Sequence, residues 1–72
     1  MVDIPYLVDI IDNSGVTKSF IAEKLGIARA TLDSRLSGKT EFTLKELNTV
    51  CNLLRLTNEE RQKILAPMFK EV

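Results

Sequence analysis

Polar and charged side chains recur on one face of the segment around residue 30. If this segment is helical, the members of that face are Arg29, Ala30, Asp33 and Ser34. Leu32 and Leu36, four residues apart, mark the opposite, apolar side. Arg29 contributes a planar group with several hydrogen-bond donors. These residues could therefore recognise a ligand through hydrogen bonds and charge. The alternative interpretation is that they form an ordinary solvent-exposed helix face with no ligand.

No residue pattern in the chain is typical of catalysis. The chain has no histidine, which removes the commonest general base and the commonest metal ligand. Cys51 lies on an apolar helical stripe and is interpreted as a core residue, not a nucleophile. Glu59 and Glu60 suit a helix N-terminus, where carboxylates interact favourably with the helix dipole. The sequence predicts no enzyme activity, no catalytic residue, no metal site and no cofactor.

The polar face belongs to a longer stretch, residues 17–39, with the pattern of two short helices and a tight turn. In the first helix, Phe20, Ile21 and Leu25 are expected to share one apolar face. Gly26 can adopt a left-handed backbone conformation and so end that helix. The pattern predicts helices over residues 18–25, with Thr17 as the N-cap, and 28–37. Such a pair forms a helix-turn-helix, whose second helix is the one placed in the DNA major groove.

This stretch resembles the helix-turn-helix of phage Cro and repressor proteins. The resemblance lies in residues 22–27 (AEKLGI), in Leu32 and in residues 37–39 (SGK), with the spacing from Gly26 onward matching without a gap. It extends over residues 15–56 and implies a lambda-repressor-like fold and a regulator of transcription. Function depends on the exposed residues more than on the scaffold, so the resemblance bears more strongly on the fold.

The resemblance also divides the candidate site residues into two groups. The outer face of the second helix, Arg29 above all, would meet base edges, where arginine to guanine is the commonest specific contact. The residues expected near the DNA backbone are Lys18, Ser19, Lys39 and Thr40, together with the amides of the loop after the second helix. Taken singly, each lysine is better explained as a solvated surface charge.

Three further helices are predicted around this motif, which gives an all-α bundle of five helices. The start signals are Asp3 and the capping boxes Thr43–Glu46 and Thr57–Glu60. Pro67 is expected to end or kink the last helix. Leu44 is placed on the inward stripe of the fourth helix. The residues expected to be buried together are Leu25, Leu32, Leu36, Leu47, Val50 and Leu54.

Composition limits the size and setting of the protein. The 72 residues are expected to form one helix-turn-helix domain over residues 1–72. The net charge is zero, although DNA-binding domains usually carry a positive excess. The charge is uneven, because residues 17–45 hold six basic and three acidic side chains. A single cysteine, no signal peptide and no apolar run of membrane-spanning length predict a cytoplasmic protein that does not bind membranes. The resemblance to phage proteins implies that this cytoplasm is that of the host cell.

Two functions from different classes remain open at this stage. The first is a Cro-like regulator of a lysis/lysogeny-like genetic switch that binds operator DNA; the local positive surplus and Arg29 favour it. The second is an antirepressor or modulator that binds the partner phage repressor protein and blocks or alters its DNA binding. The zero net charge, Asp33 and an apolar tail at Met68 and Phe69 favour the second. A homodimer is compatible with either function.

Overall fold

Five α-helices make up the part of the chain that the structure, a computed structural model, describes: residues 2–69, with side chains as far as residue 65. In chain order they are α1 (Ile4–Ser14), α2 (Lys18–Leu25), α3 (Arg29–Leu36), α4 (Leu44–Leu53) and α5 (Asn58–Phe69). No strand occurs within these residues. The predicted all-α fold of five helices is confirmed. None of the described helices is both long and apolar enough to cross a membrane.

Side chains cap the N-termini of four helices, as the sequence predicts. The capping residues are Asp3 for α1, Thr17 for α2, Thr43 for α4 and Thr57 for α5. Both predicted capping boxes are complete, since Glu46 and Glu60 each accept a hydrogen bond from the backbone N–H of their threonine. The exception is α3, where Ala28 occupies the N-cap position and offers no side-chain hydrogen bond.

The turn between α2 and α3 depends on the backbone of Gly26. Its φ of 72° lies in the left-handed region, which costs a residue with a Cβ atom more than it costs glycine. The Gly26 N–H donates to Glu23 O and the Ile27 N–H to Ala22 O, each at 3.1 Å, so the last carbonyls of α2 are satisfied. α2 has the predicted bounds, whereas α3 is one residue shorter at each end because Ala28 and Ser37 serve as its caps.

The core lies where all five helices and the loop before α4 converge. Its buried residues are Leu7, Ile11, Ile21, Ala22, Leu32, Leu36, Phe42, Leu47, Val50, Cys51, Ile64 and Leu65. Of the six residues expected to share the core, four are buried, and Leu25 and Leu54 are half-buried at its edge. Phe42, in the loop before α4, is a core residue that the sequence pattern did not predict.

Two apolar residues predicted to face the core are 43% exposed, Phe20 and Leu44. Phe20 precedes the buried pair Ile21 and Ala22, and a step of about 100° per residue turns it away from the face that they define. Leu44 is the first residue of α4, and a helical side chain tilts toward the N-terminus, which carries this one past the end of the core.

Of the two outcomes predicted for Pro67, an end or a kink of the last helix, the first is excluded. α5 continues past Pro67 to Phe69, so the proline does not end the helix. The side chains of Met68 and Phe69, considered above as an apolar tail, lie outside the described residues.

Leu47→Ala should reduce the free energy of unfolding by about 2–5 kcal/mol, because it leaves a cavity at a fully buried position of α4. Leu44→Ala, the same substitution three residues earlier in the same helix, should cost less than about 1 kcal/mol because that side chain is half in solvent. Urea unfolding of both variants measures the difference. Equal losses would contradict the assignment of Leu47 to the core.

Candidate nucleic-acid interface

α3 presents the predicted polar face to solvent. Arg29, Ala30 and Asp33 are exposed, and Ser34 is half-buried beside them. The opposite side of α3 is fixed by Leu32 and Leu36, which are buried in the core. A helix with two anchoring leucines on one side cannot rotate without exposing them, so the four outer residues keep a defined direction.

Arg29 is bonded to its own motif at two points. Its Nε lies 3.2 Å from Oδ1 of Asp33, one helical turn further along α3. Its Nη1 lies 3.4 Å from Oγ of Ser19, in the first turn of α2. The three side chains therefore form one exposed cluster that spans both helices of the motif, which is called the Arg29 cluster below. Asp33, which the sequence left as an isolated acidic residue on this face, is paired with Arg29.

The N-terminus of α2 carries the next two candidate residues. Lys18 is the first residue of the helix and is half-buried, and Ser19 follows it and is exposed. Thr17 accepts the hydrogen bond of the Phe20 N–H at 3.1 Å. One of the backbone donors at this helix end is therefore occupied by the cap, while the lysine adds a positive charge beside the positive end of the helix dipole.

The loop after α3 contains Lys39 and Thr40, both exposed. Their backbone N–H groups donate to the carbonyl oxygen of Ser34, at 3.0 and 3.3 Å. The expectation that these loop amides are available to a ligand is therefore wrong: the end of α3 uses them to satisfy its own carbonyl. Of Lys39 and Thr40, only the side chains therefore remain for contacts with a ligand.

Arg35 fixes that loop and joins α3 to α4. Its Nε and Nη2 donate to Oε1 and Oε2 of Glu46 at 2.9 and 3.2 Å, a two-bond pair whose side chains are only 18% and 15% exposed. Its Nη1 donates to Oγ1 of Thr40 at 3.1 Å. Glu46 also completes the capping box of α4. Such bidentate pairs are stronger and more directional than single ion contacts.

The ionisation of Glu46 follows from these contacts. Burial disfavours the charged carboxylate, but the N–H of Thr43 and the guanidinium of Arg35 outweigh it, and the pKa of Glu46 lies below its ordinary value of 4.5. Glu46 is therefore charged at neutral pH, and Arg35 is held by it. The positive surplus that the sequence placed on residues 17–45 is reduced, because Arg35 is satisfied from within the fold.

Lys18 and Lys39 are the cations of the interface that form no ion pair with a described side chain. Lys24 instead lies over the exposed ring of Phe20, with Nζ 5.3 Å from the ring centroid. The charge that the motif can offer to a ligand is thus carried by single lysines and by the Arg29 cluster.

Arg35 and Glu46 are the residues that sequence reasoning missed at this site. The sequence pattern indicates a helix cap at Glu46 and only a positive charge at Arg35. Eleven residues separate them, so no helical period links the two, and only the packing of α3 on α4 brings them together. Cys51, by contrast, is fully buried as predicted, and burial raises the pKa of its thiol, as expected of a core cysteine.

Comparison with known proteins identifies a family. Residues 7–60 match the model of a family described as the Cro/C1-type HTH (helix-turn-helix) DNA-binding domain. The matched span runs from α1 to the first turn of α5 and includes every candidate residue of the interface. No curated protein and no solved structure matches the chain.

Glu46→Gln should lower the free energy of unfolding at pH 7 by about 1–3 kcal/mol, because it removes a charge-assisted pair while keeping the side-chain shape. A carboxyl with a lowered pKa in the folded state stabilises the fold above its unfolded pKa and stops doing so as pH falls through the folded value. The gap between wild type and the variant should therefore narrow as the pH falls below about 4.3, the pKa of glutamate in unfolded peptides.

Thermal unfolding between pH 7 and pH 3 measures this gap. Glu59→Gln is the control, since it removes an exposed carboxylate from the first turn of α5. A gap that stays constant with pH would show that the charge of Glu46 contributes nothing to the link between α3 and α4.

Proposed function

The chain belongs to the Cro/C1-type HTH DNA-binding domain family, and from this premise we propose that it is a Cro-like transcriptional regulator that places α3 in the major groove of operator DNA. The observation that carries the proposal is the exposed guanidinium of Arg29 at the first turn of the second helix of the motif. In helix-turn-helix proteins the N-terminal residues of that helix are the ones that contact base edges.

The outer residues of α3 supply the base contacts in this proposal. Arg29 has donors suited to the O6 and N7 acceptors of guanine. Ala30, exposed beside it, can contact a thymine methyl group, and the hydroxyl of Ser34 can accept or donate at the next base step. Asp33 is kept from acting as an isolated negative charge by its pair with Arg29.

Residues on either side of α3 supply the backbone contacts. Lys18 and Ser19 approach one phosphate region from the start of α2, where the helix dipole favours an anion. Lys39 and the hydroxyl of Thr40 approach the other. Thr40 accepts a hydrogen bond from Arg35, which leaves its own hydroxyl hydrogen free to donate to a phosphate oxygen.

The proposed biological role is a phage-type genetic switch of the lysis/lysogeny kind, by resemblance to Cro and repressor proteins. A homodimer belongs to this proposal, because two copies would read two half-sites about one helical turn apart. A dimer also doubles the phosphate contacts available to a chain whose net charge is zero.

One observation favours a second function, that of an antirepressor or modulator that binds the partner phage repressor protein. Only Oδ1 of Asp33 is engaged by Arg29, and the carboxylate remains about half exposed on α3. The basic recognition helix of a repressor could bind this carboxylate, which is negatively charged as the phosphates of DNA are. Binding there would cover the repressor's own DNA-contacting residues.

Arg29→Ala should weaken operator binding by about 1–3 kcal/mol and relax selection at one base pair, because it removes the base-reading guanidinium. Lys39→Ala should weaken binding to all sequences alike and reduce the slope of log K against log salt by about 1. Lys63→Ala, on α5 and outside the proposed interface, is the matched control. Gel-shift titrations at two salt concentrations measure all three. Unchanged affinity in the first two variants would show that α3 does not enter the groove.

Arg29→Ala also separates the two candidate functions. On DNA it removes an attractive charge and lowers affinity, whereas against a basic repressor helix it frees Asp33 from its pair and should maintain or raise affinity. The measurement titrates wild type and variant into promoter DNA and into the repressor encoded with the chain. A loss of affinity for the repressor together with unchanged affinity for DNA would contradict both assignments of this surface.

A further inference from the structure

We infer that Asp33 is a positioning residue that holds Arg29 in the orientation needed to read a guanine, with Ser19 as a second support. This inference rests on the proposed DNA-binding function and adds to it the residues that orient the base-reading guanidinium. It reverses the sequence-based view of Asp33, which counted this carboxylate as unfavourable to DNA.

The division of the guanidinium donors supports this role. Asp33 accepts from Nε, on the inner side of the group, at 3.2 Å. The terminal nitrogens retain N–H groups pointing away from the carboxylate, and Nη1 shares one with Ser19 at the longer distance of 3.4 Å. A bidentate contact to the O6 and N7 atoms of guanine needs two such parallel donors. Asp33 thus binds Nε of Arg29, which is not needed when the two terminal nitrogens, Nη1 and Nη2, contact guanine.

The three side chains are also placed on elements that hold them still. Arg29 and Asp33 lie one turn apart on α3, which Leu32 anchors in the core between them. Ser19 lies on α2, whose turn to α3 is closed by the hydrogen bonds around Gly26. A free arginine loses side-chain entropy when it is ordered on binding, and one that is already held loses less.

The strength of the pair depends on its surroundings. In the free protein both side chains are about half exposed, at 49% and 54%, and an exposed ion pair of this kind contributes little to stability. Entry into the groove excludes water and lowers the local dielectric constant. The ion pair between Arg29 and Asp33 is therefore stronger in the complex with DNA than in the free protein. The pair is also neutral as a whole, which limits repulsion between Asp33 and the phosphates.

The experiment combines binding selection with NMR spectroscopy of Arg29. Wild type is used to select a preferred sequence from a randomised duplex library. Affinity is then measured for that duplex and for duplexes in which each guanine is replaced in turn. The variants are Asp33→Asn, Asp33→Glu, Arg29→Ala, the double variant of Asp33→Asn with Arg29→Ala, and the control Glu23→Gln, which removes an exposed acidic charge elsewhere in the motif.

Positioning predicts that Asp33→Asn lowers discrimination at one guanine by about fivefold or more, toward the lower end of what one bidentate arginine–guanine pair provides. Asp33→Glu should recover part of it, and Asp33→Asn should have no effect in the Arg29→Ala background. Glu23→Gln should change affinity for all duplexes equally. If Asp33→Asn instead raises affinity for all duplexes as Glu23→Gln does, Asp33 acts only as a charge and the inference is overturned.

The NMR arm separates this inference from the proposed function. In the free protein, Asp33→Asn should shift the Arg29 Nε–H resonance and increase its mobility, and Glu23→Gln should leave it unchanged. If wild type selects no sequence, the proposed DNA-binding function fails and guanine reading fails with it. If the Arg29 resonance does not respond to Asp33→Asn, the positioning role is overturned even when DNA binds specifically.

Discussion

The pair between Arg35 and Glu46 is the interaction on which the arrangement of the interface depends. Glu46 accepts from the guanidinium with both oxygens and from the Thr43 N–H with one of them, so the same carboxylate starts α4 and holds α3. Arg35 in turn binds Thr40. Because the pair is largely shielded from water, losing either partner leaves the other poorly solvated, and the loop, α3 and α4 are expected to loosen together.

This arrangement explains how a neutral chain can carry a helix-turn-helix surface. One arginine of α3, Arg35, is used inside the fold, and the other, Arg29, is exposed but paired with Asp33. In the proposed complex, non-specific attraction to DNA would therefore come from single lysines such as Lys18 and Lys39, and it would be weak for a DNA-binding domain. Binding by a surface of this kind depends more on directed hydrogen bonds than on total charge. The affinity is therefore expected to be sensitive to the orientation of its few polar groups.

Much of the fold was predictable because its signals are local. A capping box, a left-handed glycine and a repeated leucine spacing each act within one helical turn, and they placed α2 to the residue and four of the helix starts. The misses come from interactions between distant segments. The burial of Phe42 and the pairing of Arg35 with Glu46 depend on how α3, the loop and α4 pack. The end of α4 gave no signal either, because Arg55 adopts the left-handed conformation (φ 53°) where a glycine is usual.

The same locality explains why sequence alone left the function of Asp33 open. Spacing placed it correctly on the outer face of α3, but whether a carboxylate there repels DNA depends on what it touches. Its contact with Arg29 makes the two side chains one neutral, directional unit, and Ser19 ties that unit to α2. A DNA duplex would use the arginine end of this unit and a basic protein helix its carboxylate end. The two candidate functions therefore use the same cluster. DNA binding would desolvate the guanidinium of Arg29, whereas binding of a basic helix would desolvate the carboxylate of Asp33, and the ligand that better compensates this loss of water is favoured.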